Sequence, residues 1–480
     1  MSISLISVPL VLSALGASDY GLYNLVAGVV AMLSFLNLSL TVSSQRYMSV
    51  AMGAKDIEGI DIVYNTSFYM HLFLGAIIIV LFEFGSFFID KLNIEPDRLW
   101  CAKIIYQFLI ISTFVQIISV PFDALINAHE DMHAFAIIET INSLLLLVVA
   151  ISLKYYDGDK LLFYGLFVCF IAIATFLMKY GWVRYSYRNY RINIVKKWSK
   201  LQIRGMFGFA GWNLFGGIAM IGRNQGIAII FNIFLGTIAN ASYGIANHIN
   251  GALSNFSGTF QKAINPQLMK SEGMKDRERL LKISFISSKY SVLALSFFSI
   301  PLIIEMPDIL HIWLNNNIPP YTIELTRYIL LLSIVYQYSV GIMSAIQAVG
   351  YIRNYQIAMG CIILLNLPMA YILVKTGYPI YYVTIGFVAL ELISLVVRIK
   401  MAEVLVKMPP VVFIKEVVIP TLIIIIPSAI FCLIPYIVIS SIWLRFIFVS
   451  LAYCSLFFIL FWLIALDENM KRKIIDKLSF

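Results

Sequence analysis

Arg223 stands in the middle of an apolar run, GMFGFAGWNLFGGIAMIGRNQGIAIIFNIFL, that occupies residues 205–235. An arginine held at the centre of a lipid bilayer costs about 2.5–3.5 kcal/mol on insertion scales, so it persists only where it meets water, a partner or an anionic ligand. A guanidinium grips phosphate or carboxylate oxygens with two parallel N–H bonds. The chemistry open to Arg223 is therefore anion binding in a cavity. An internal ion pair and a side chain that snorkels to the surface are the alternatives. Asn224 and Gln225 follow it directly, and Asn247 and Asn250 lie in the next apolar stretch. Two such polar stretches are expected to line a cavity rather than to face lipid.

Other charges sit at positions where they can act. Arg46 and Lys262 fall at equivalent ends of two apolar stretches. Together they can ring the mouth of a cavity with positive charge, or simply anchor the helices on one side of the membrane. Glu139 and Glu391 lie inside apolar stretches. A carboxylate there suits coupling to a proton or sodium ion, and a helix–helix hydrogen bond is the other reading. Asp123, Glu130 and Asp131 read as loop and hinge residues. His71 and His248 read as satisfied core groups. The five cysteines have neither zinc-ligand nor redox spacing, so no metal and no cofactor is expected. Phosphate-binding, dinucleotide, nucleophile-elbow and HExxH motifs are absent from the sequence, which argues against an enzyme and against ATP as the energy source.

The elements that must position these residues follow from composition. Of 480 residues 60% are hydrophobic and 13% charged, where a soluble domain carries about 25% charged residues. Apolar stretches near 20 residues long recur along the chain, the length that crosses hydrocarbon as a helix. They predict an all-α polytopic membrane protein with spans at 2–16, 20–45, 62–88, 103–127, 134–154, 160–183, 205–235, 239–265, 282–306, 321–349, 355–374, 378–399, 413–436 and 441–466. With the N-terminus inside, 24 Lys and Arg fall in inside segments and 6 in outside ones. That asymmetry orients the chain with both ends cytoplasmic. The net charge of +9 is this bias, not a nucleic-acid footprint. The connector 184–204 holds seven basic residues and no acid. It reads as an anchor that also docks on anionic headgroups, with a direct substrate role as the lesser reading.

The connector divides the chain into halves that echo each other. Leu15-Gly16, Tyr20-Gly21 and Gly53-Ala54-Lys55-Asp56 in the first answer to Leu235-Gly236, Tyr243-Gly244 and Gly273-Met274-Lys275-Asp276 in the second. Six spans per half make this a parallel repeat, an arrangement that encloses a central site and alternates access to it. The predicted organisation is a six-helix bundle with its basic connector at 1–200, a second bundle at 201–410, and two additional helices with a tail at 411–480. Kinks are expected at Pro121 and at Asn366-Leu367-Pro368.

These residues resemble a family. The run VPLVLSALGASDYGLYNLVAGVVAMLSFLNLSLTVSSQRYMSVAMG at 8–53 is similar to the opening of Wzx-type O-antigen flippases, in the multidrug/oligosaccharidyl-lipid/polysaccharide (MOP) exporter superfamily. Further likenesses run in order along the chain: Pro121-Phe122-Asp123-Ala124 with Ala128 through Met132, Asn232 through Gly236 with Tyr243 through Ala246, Ala263 through Gln267, Pro307 through Leu310 with Ile312-Trp313-Leu314, Gly350 through Tyr355, and Asn366-Leu367-Pro368. The chain departs from the family in lacking a longer, basic N-terminal lead. The resemblance implies two six-helix bundles around a cavity. It also implies transport of an undecaprenyl-pyrophosphate-linked sugar repeat unit from the cytoplasmic to the periplasmic leaflet of the bacterial inner membrane, for O-antigen or capsular polysaccharide, beside a polysaccharide polymerase. Arg46 matches the family's Gln-Arg, and Arg223 falls where members carry polar cavity residues. An ion-coupled drug or metabolite antiporter of the same superfamily, a peptidoglycan-precursor flippase and an intramembrane polymerase are the rival readings.

Overall fold

A peptide group inside hydrocarbon has no water to bond, so each span must satisfy its own backbone as a helix. In the computed structural model of the chain, residues 2–31, 34–87, 89, 94–190, 192, 199–314, 318–466, 468, 471–472 and 475–476 are described. Lys91, and residues 191 and 193–198 of the basic connector, lie outside them, as does part of the tail. Two long helical runs, Ser2–Ala31 and Lys200–Gly273, are each broken at one residue. An unbroken helix over 200–273 would be about 110 Å long, far more than the ~30 Å hydrocarbon core. Gly236 divides it into α7 (200–235) and α8 (237–273). Gly16 likewise separates α1 (2–15) from a helix over 17–31, which is taken together with the helix Ser34–Gly53 as α2.

The remaining spans are α3 (Ile57–Ser86), α4 (Pro96–Ala128), α5 (Met132–Ser152) and α6 (Lys160–Ser186). After α8 come α9 (Arg277–Ile304), the bent α10 (Thr322–Gln337 with Val340–Val349), α11 (Arg353–Lys375), α12 (Ile380–Val406), α13 (Pro410–Val438) and α14 (Ile442–Ala465). Among the described residues ten helical runs are long and apolar enough to cross a membrane, eleven with the bent α10. With the run from Lys200 divided at Gly236 and α1 and α2 added, fourteen helical segments make up a polytopic, all-helical membrane protein. A short helix, Met306–Trp313, follows α9.

The two breaks have the same geometry. Gly16 has φ 79° and ψ 167°, and Gly236 has φ 81° and ψ −178°. That region is open essentially to glycine alone. The Leu-Gly echo in the sequence is therefore one backbone corner used twice. The second echo is also structural. Lys55 and Lys275 both have φ 57°, and Glu130 joins them at φ 62°. The aspartate after each residue closes one helix and opens the next. Asp56, Asp131 and Asp276 donate their N–H to Ala51, Ile126 and Ser271, and their carboxylates accept from the backbone N–H of Gly59, Ala134 and Arg279. These are Schellman C-caps fused to aspartate N-caps. Asp131 also accepts from Trp182 Nε1 and Tyr187 Oη, both at 2.9 Å. Burial pushes its carboxyl up, and these bonds outweigh it and hold the group below the ordinary carboxylate range.

The chain forms two compact units, residues 1–214 and 215–480, with the divide inside α7. In the first, α4 packs against α2, α3 and α6. Tyr64, Phe122, Leu125 and Met206 fill one core and Ile105, Tyr106 and Leu161 another. In the second, Phe231, Tyr243, Leu325 and Phe387 form the core. The buried face of α9 carries Ser284, Ser287, Ser288 and Ser291. Small side chains let helix backbones approach closely in a membrane. Here Gly341 of α10 lies so near the Ser284 carbonyl that a Cβ would stand 1.9 Å from it. Pro121 interrupts nothing, since α4 runs through it from Pro96 to Ala128. Before Pro368 the helix does break, at Leu365.

Substituting Gly16 or Gly236 with alanine is expected to lower the unfolding temperature in detergent, reflecting about 1–3 kcal/mol of backbone strain. No neighbouring atom stands within 4 Å of an added Cβ at either site or at the helical Gly244. Gly244→Ala is therefore the control that leaves stability unchanged or raised. Equal behaviour of the three variants would show that the corners are not glycine-dependent.

Candidate functional site

In the first unit three helices each turn one polar stripe into a cavity of about 370 Å³. Gln116, Ser119 and Asp123 come from α4, Glu139 and Asn142 from α5, and Thr175 and Lys179 from α6. The spacings of three, four and seven put each set on one helix face. Lys179 is buried, with Nζ 2.9 Å from Asp123 Oδ1 and 3.5 Å from Glu139 Oε1. Thr175 Oγ1 donates to Asn142 Oδ1 at 3.2 Å. Two carboxylates share one ammonium, so the cluster carries one net negative charge when all three are ionised. Asp123 is thus not a loop residue, as the sequence suggested. It lies inside α4 and holds the lysine. Lys179 itself escaped the sequence reading, though its spacing of four from Thr175 on an otherwise apolar stretch of helix was a signal.

Also in the first unit, Arg46 is half-buried on α2. Its guanidinium stacks over Tyr47 at 4.9 Å and Phe209 at 5.1 Å from the ring centroids.

The second unit gathers positive charge. Arg223 is half-buried on α7 and donates from Nε and Nη2 to Asn224 Oδ1 at 3.2 and 3.0 Å. Among the described residues no carboxylate pairs with it. It is close enough to Tyr243 and Tyr336 for its charge to act on both hydroxyls. Tyr336 also lies under the guanidinium of Arg398, 5.4 Å from the ring centroid. Arg398 is buried, donating to Glu391 Oε1 at 2.5 Å and to Ser339 Oγ at 3.0 Å. The sequence count placed Arg398 in an inside loop. It lies instead inside α12, about two turns before the helix ends at Val406, one heptad along the same face from Glu391. Arg398 and Glu391 neutralise each other, while Arg223 keeps its positive charge with a neutral amide as its described partner.

The other polar residues divide between tasks. Asn247 donates to the Tyr243 carbonyl at 2.9 Å, and Gln225 and Lys262 are exposed. Asn250 does not line a cavity by itself. It accepts from Ser333 Oγ at 2.5 Å, the first rung of a ladder between α8 and α10. Ser257 with Gln337 and Asn265 with Ser344 make the next two rungs, at 2.6 and 2.8 Å. His71 is buried with Nδ1 2.7 Å from the Ser67 carbonyl, and His248 is exposed.

These features define a polytopic helical protein of two units, each with charged groups held within the membrane. Residues 1–152 match the family model MatE. No curated protein matches the chain. Among solved structures, one of MATE in the straight conformation matches with a TM-score of 0.75 at 15% identity, covering 85% of this chain and 93% of that one. A multidrug resistance MATE family transporter of the MOP superfamily, in an outward-facing conformation, matches at 0.74 and 16%, covering 85% and 92%. A MOP superfamily transporter from Pyrococcus furiosus Vc1, for which a binding pocket of reverse polarity suggests a different function, matches at 0.74 and 15%, covering 85% and 93%. The chain has the fold of these transporters.

Replacing Lys179 by methionine strands two carboxylates in one cavity and is expected to cost about 3 kcal/mol of stability. Adding Asp123→Asn should recover most of the lost unfolding temperature. A stable Lys179→Met single variant would show that the cavity does not depend on the pair.

Proposed function

We propose that this protein is a transporter rather than an enzyme. Its cargo is an undecaprenyl-pyrophosphate-linked oligosaccharide repeat unit, moved by alternating access from the cytoplasmic to the periplasmic leaflet of the inner membrane, for O-antigen or capsular polysaccharide. One observation carries this reading: Arg223 lies mid-span, held by the neutral amide of Asn224 and near Tyr243 and Tyr336, with no described carboxylate of its own. A pyrophosphate is the complement of such a group, because guanidinium bonds phosphate oxygens directionally while tyrosines offer hydroxyls and ring faces to sugars. Arg46 and the exposed Lys262 serve the approach of the anionic head, and Asn224, Gln225 and Asn247 supply polar contacts. The polyprenyl chain stays in lipid throughout. Both termini are cytoplasmic in this reading. A polymerase on the periplasmic side then consumes the delivered unit.

Coupling to an ion falls to Glu139. Its cluster has one carboxylate in excess of its single lysine, so it can take up a proton or a sodium ion without unpairing Lys179. Glu391 has no such freedom, since Arg398 neutralises it at 2.5 Å. It positions Arg398 instead. An ion-coupled antiporter of drugs or metabolites is the second reading, favoured by that same acidic cluster and by the multidrug transporter among the structural matches. A peptidoglycan-precursor flippase would use the same carrier and the same cationic contacts.

A strain lacking the protein should accumulate undecaprenyl-linked repeat units in the cytoplasmic leaflet. Arg223→Ala should cut glycan export about tenfold or more, the loss of one charged hydrogen-bonded contact, with membrane abundance unchanged. Normal glycan display by that variant overturns the anion site. Glu139→Gln should remove the dependence of transport on the ion gradient. Unaltered dependence takes Glu139 out of the coupling.

A further inference from the structure

The last two helices do more than lengthen the second unit. α14 is strapped to α9 at three heights. Arg445 pairs with Glu305 at 3.2 Å and with Asp308. Tyr453 donates to the Ser296 carbonyl at 3.2 Å. Lys289 and Tyr290 both donate to the Ala465 carbonyl, at 2.9 and 3.3 Å. From Glu305 back to Lys289 is about 24 Å along the helix, close to the ~30 Å thickness of the hydrocarbon core. The two polar ends of the strap therefore mark its boundaries. Lys282 and Glu278, about 10 and 16 Å beyond Lys289, stand at the level of the lipid headgroups and the water next to them.

A cavity of about 620 Å³ opens there between α9, α13 and α14, on the side that carries most of the basic residues. Its size is that of a small-molecule site. Both C-terminal helices distort where they border it. Ile414–Val418 in α13 and Phe461–Ala465 in α14 are π-helical turns, a local widening often associated with binding sites. The second turn ends at Ala465, whose carbonyl accepts from Lys289 and Tyr290. Glu278, Lys282 and Glu416 line the cavity, are exposed, and have no partner among the described residues. Two lysines and two glutamates thus face one opening. Beside it the outer surface of α13 presents Ile419, Ile423 and Ile426 to lipid.

We infer that this corner binds a zwitterionic phospholipid headgroup, one with a phosphate and a primary ammonium. Lys282 and Lys289 hold the phosphate. Glu278 and Glu416 hold the ammonium, and the acyl chains lie against the isoleucine face of α13. The balanced charge is what selects the zwitterion. A purely anionic headgroup would meet both glutamates unpaired, and a quaternary ammonium cannot donate hydrogen bonds to them.

The site is independent of the cargo proposed above, and its test does not use export. The full chain is purified in mild detergent with equal amounts of phosphatidylethanolamine, phosphatidylglycerol and phosphatidylcholine, and the lipids it retains are counted by native mass spectrometry. Phosphatidylethanolamine should be retained over the other two. Glu278→Gln/Glu416→Gln should shift that preference toward phosphatidylglycerol by about two- to fivefold, the range of an exposed ion pair. Lys282→Ala should weaken retention of both. The three side chains are exposed, so unfolding temperatures should not change. Equal retention of the three lipids by the unaltered chain, or a preference unmoved by the double glutamine variant, overturns the proposal.

Discussion

The backbone's need for hydrogen bonds in hydrocarbon governs the whole molecule. It forces helices, and it restricts where a helix can stop. Within each half the first two spans join without a loop, so the corner must be made by one residue. Only glycine reaches the required backbone angles, and Gly16 and Gly236 supply them. The other recurrent stop, at Asp56, Asp131 and Asp276, solves the same problem differently. One residue satisfies the helix behind it with its amide and the helix ahead with its carboxylate.

Charge inside the spans obeys a related rule. A buried ion without a partner is far more costly than a paired one. Lys179 with Asp123 and Glu139, Arg398 with Glu391, and Arg445 with Glu305 and Asp308 are each neutralised within one unit. Arg223 differs: its described partner is the neutral amide of Asn224. The first unit's polar cavity has an excess of negative charge, while in the second unit Arg223 keeps its positive charge.

Much of this was legible in the residues themselves. Fourteen helical segments were readable because solvent imposes composition and length on every helix that crosses a bilayer, one by one. The repeat was readable because Gly16 and Gly236 have no substitute at their backbone angles. The third copy of the aspartate turn was in the sequence too, at His129-Glu130-Asp131, but Ala128 and Glu130 stand where the other two copies share a glycine and a lysine.

Pairings were not legible. Asp123 and Lys179 are 56 residues apart, and hydropathy places one near a helix end and hides the other in an apolar run. Glu391 and Arg398 are on one helix, yet Arg398 falls at the edge of its apolar stretch and reads as an inside anchor rather than as a partner. Asn250 and Ser333 meet only because α8 and α10 pack side by side. The sequence by itself determined that the chain is a polytopic helical membrane protein and which residues recur at its repeated corners, since these depend on each segment's own contact with lipid and water. The tertiary structure alone decided which charges neutralise one another and which stay available. That depends on the faces helices present to their neighbours, and no local property of a segment encodes it.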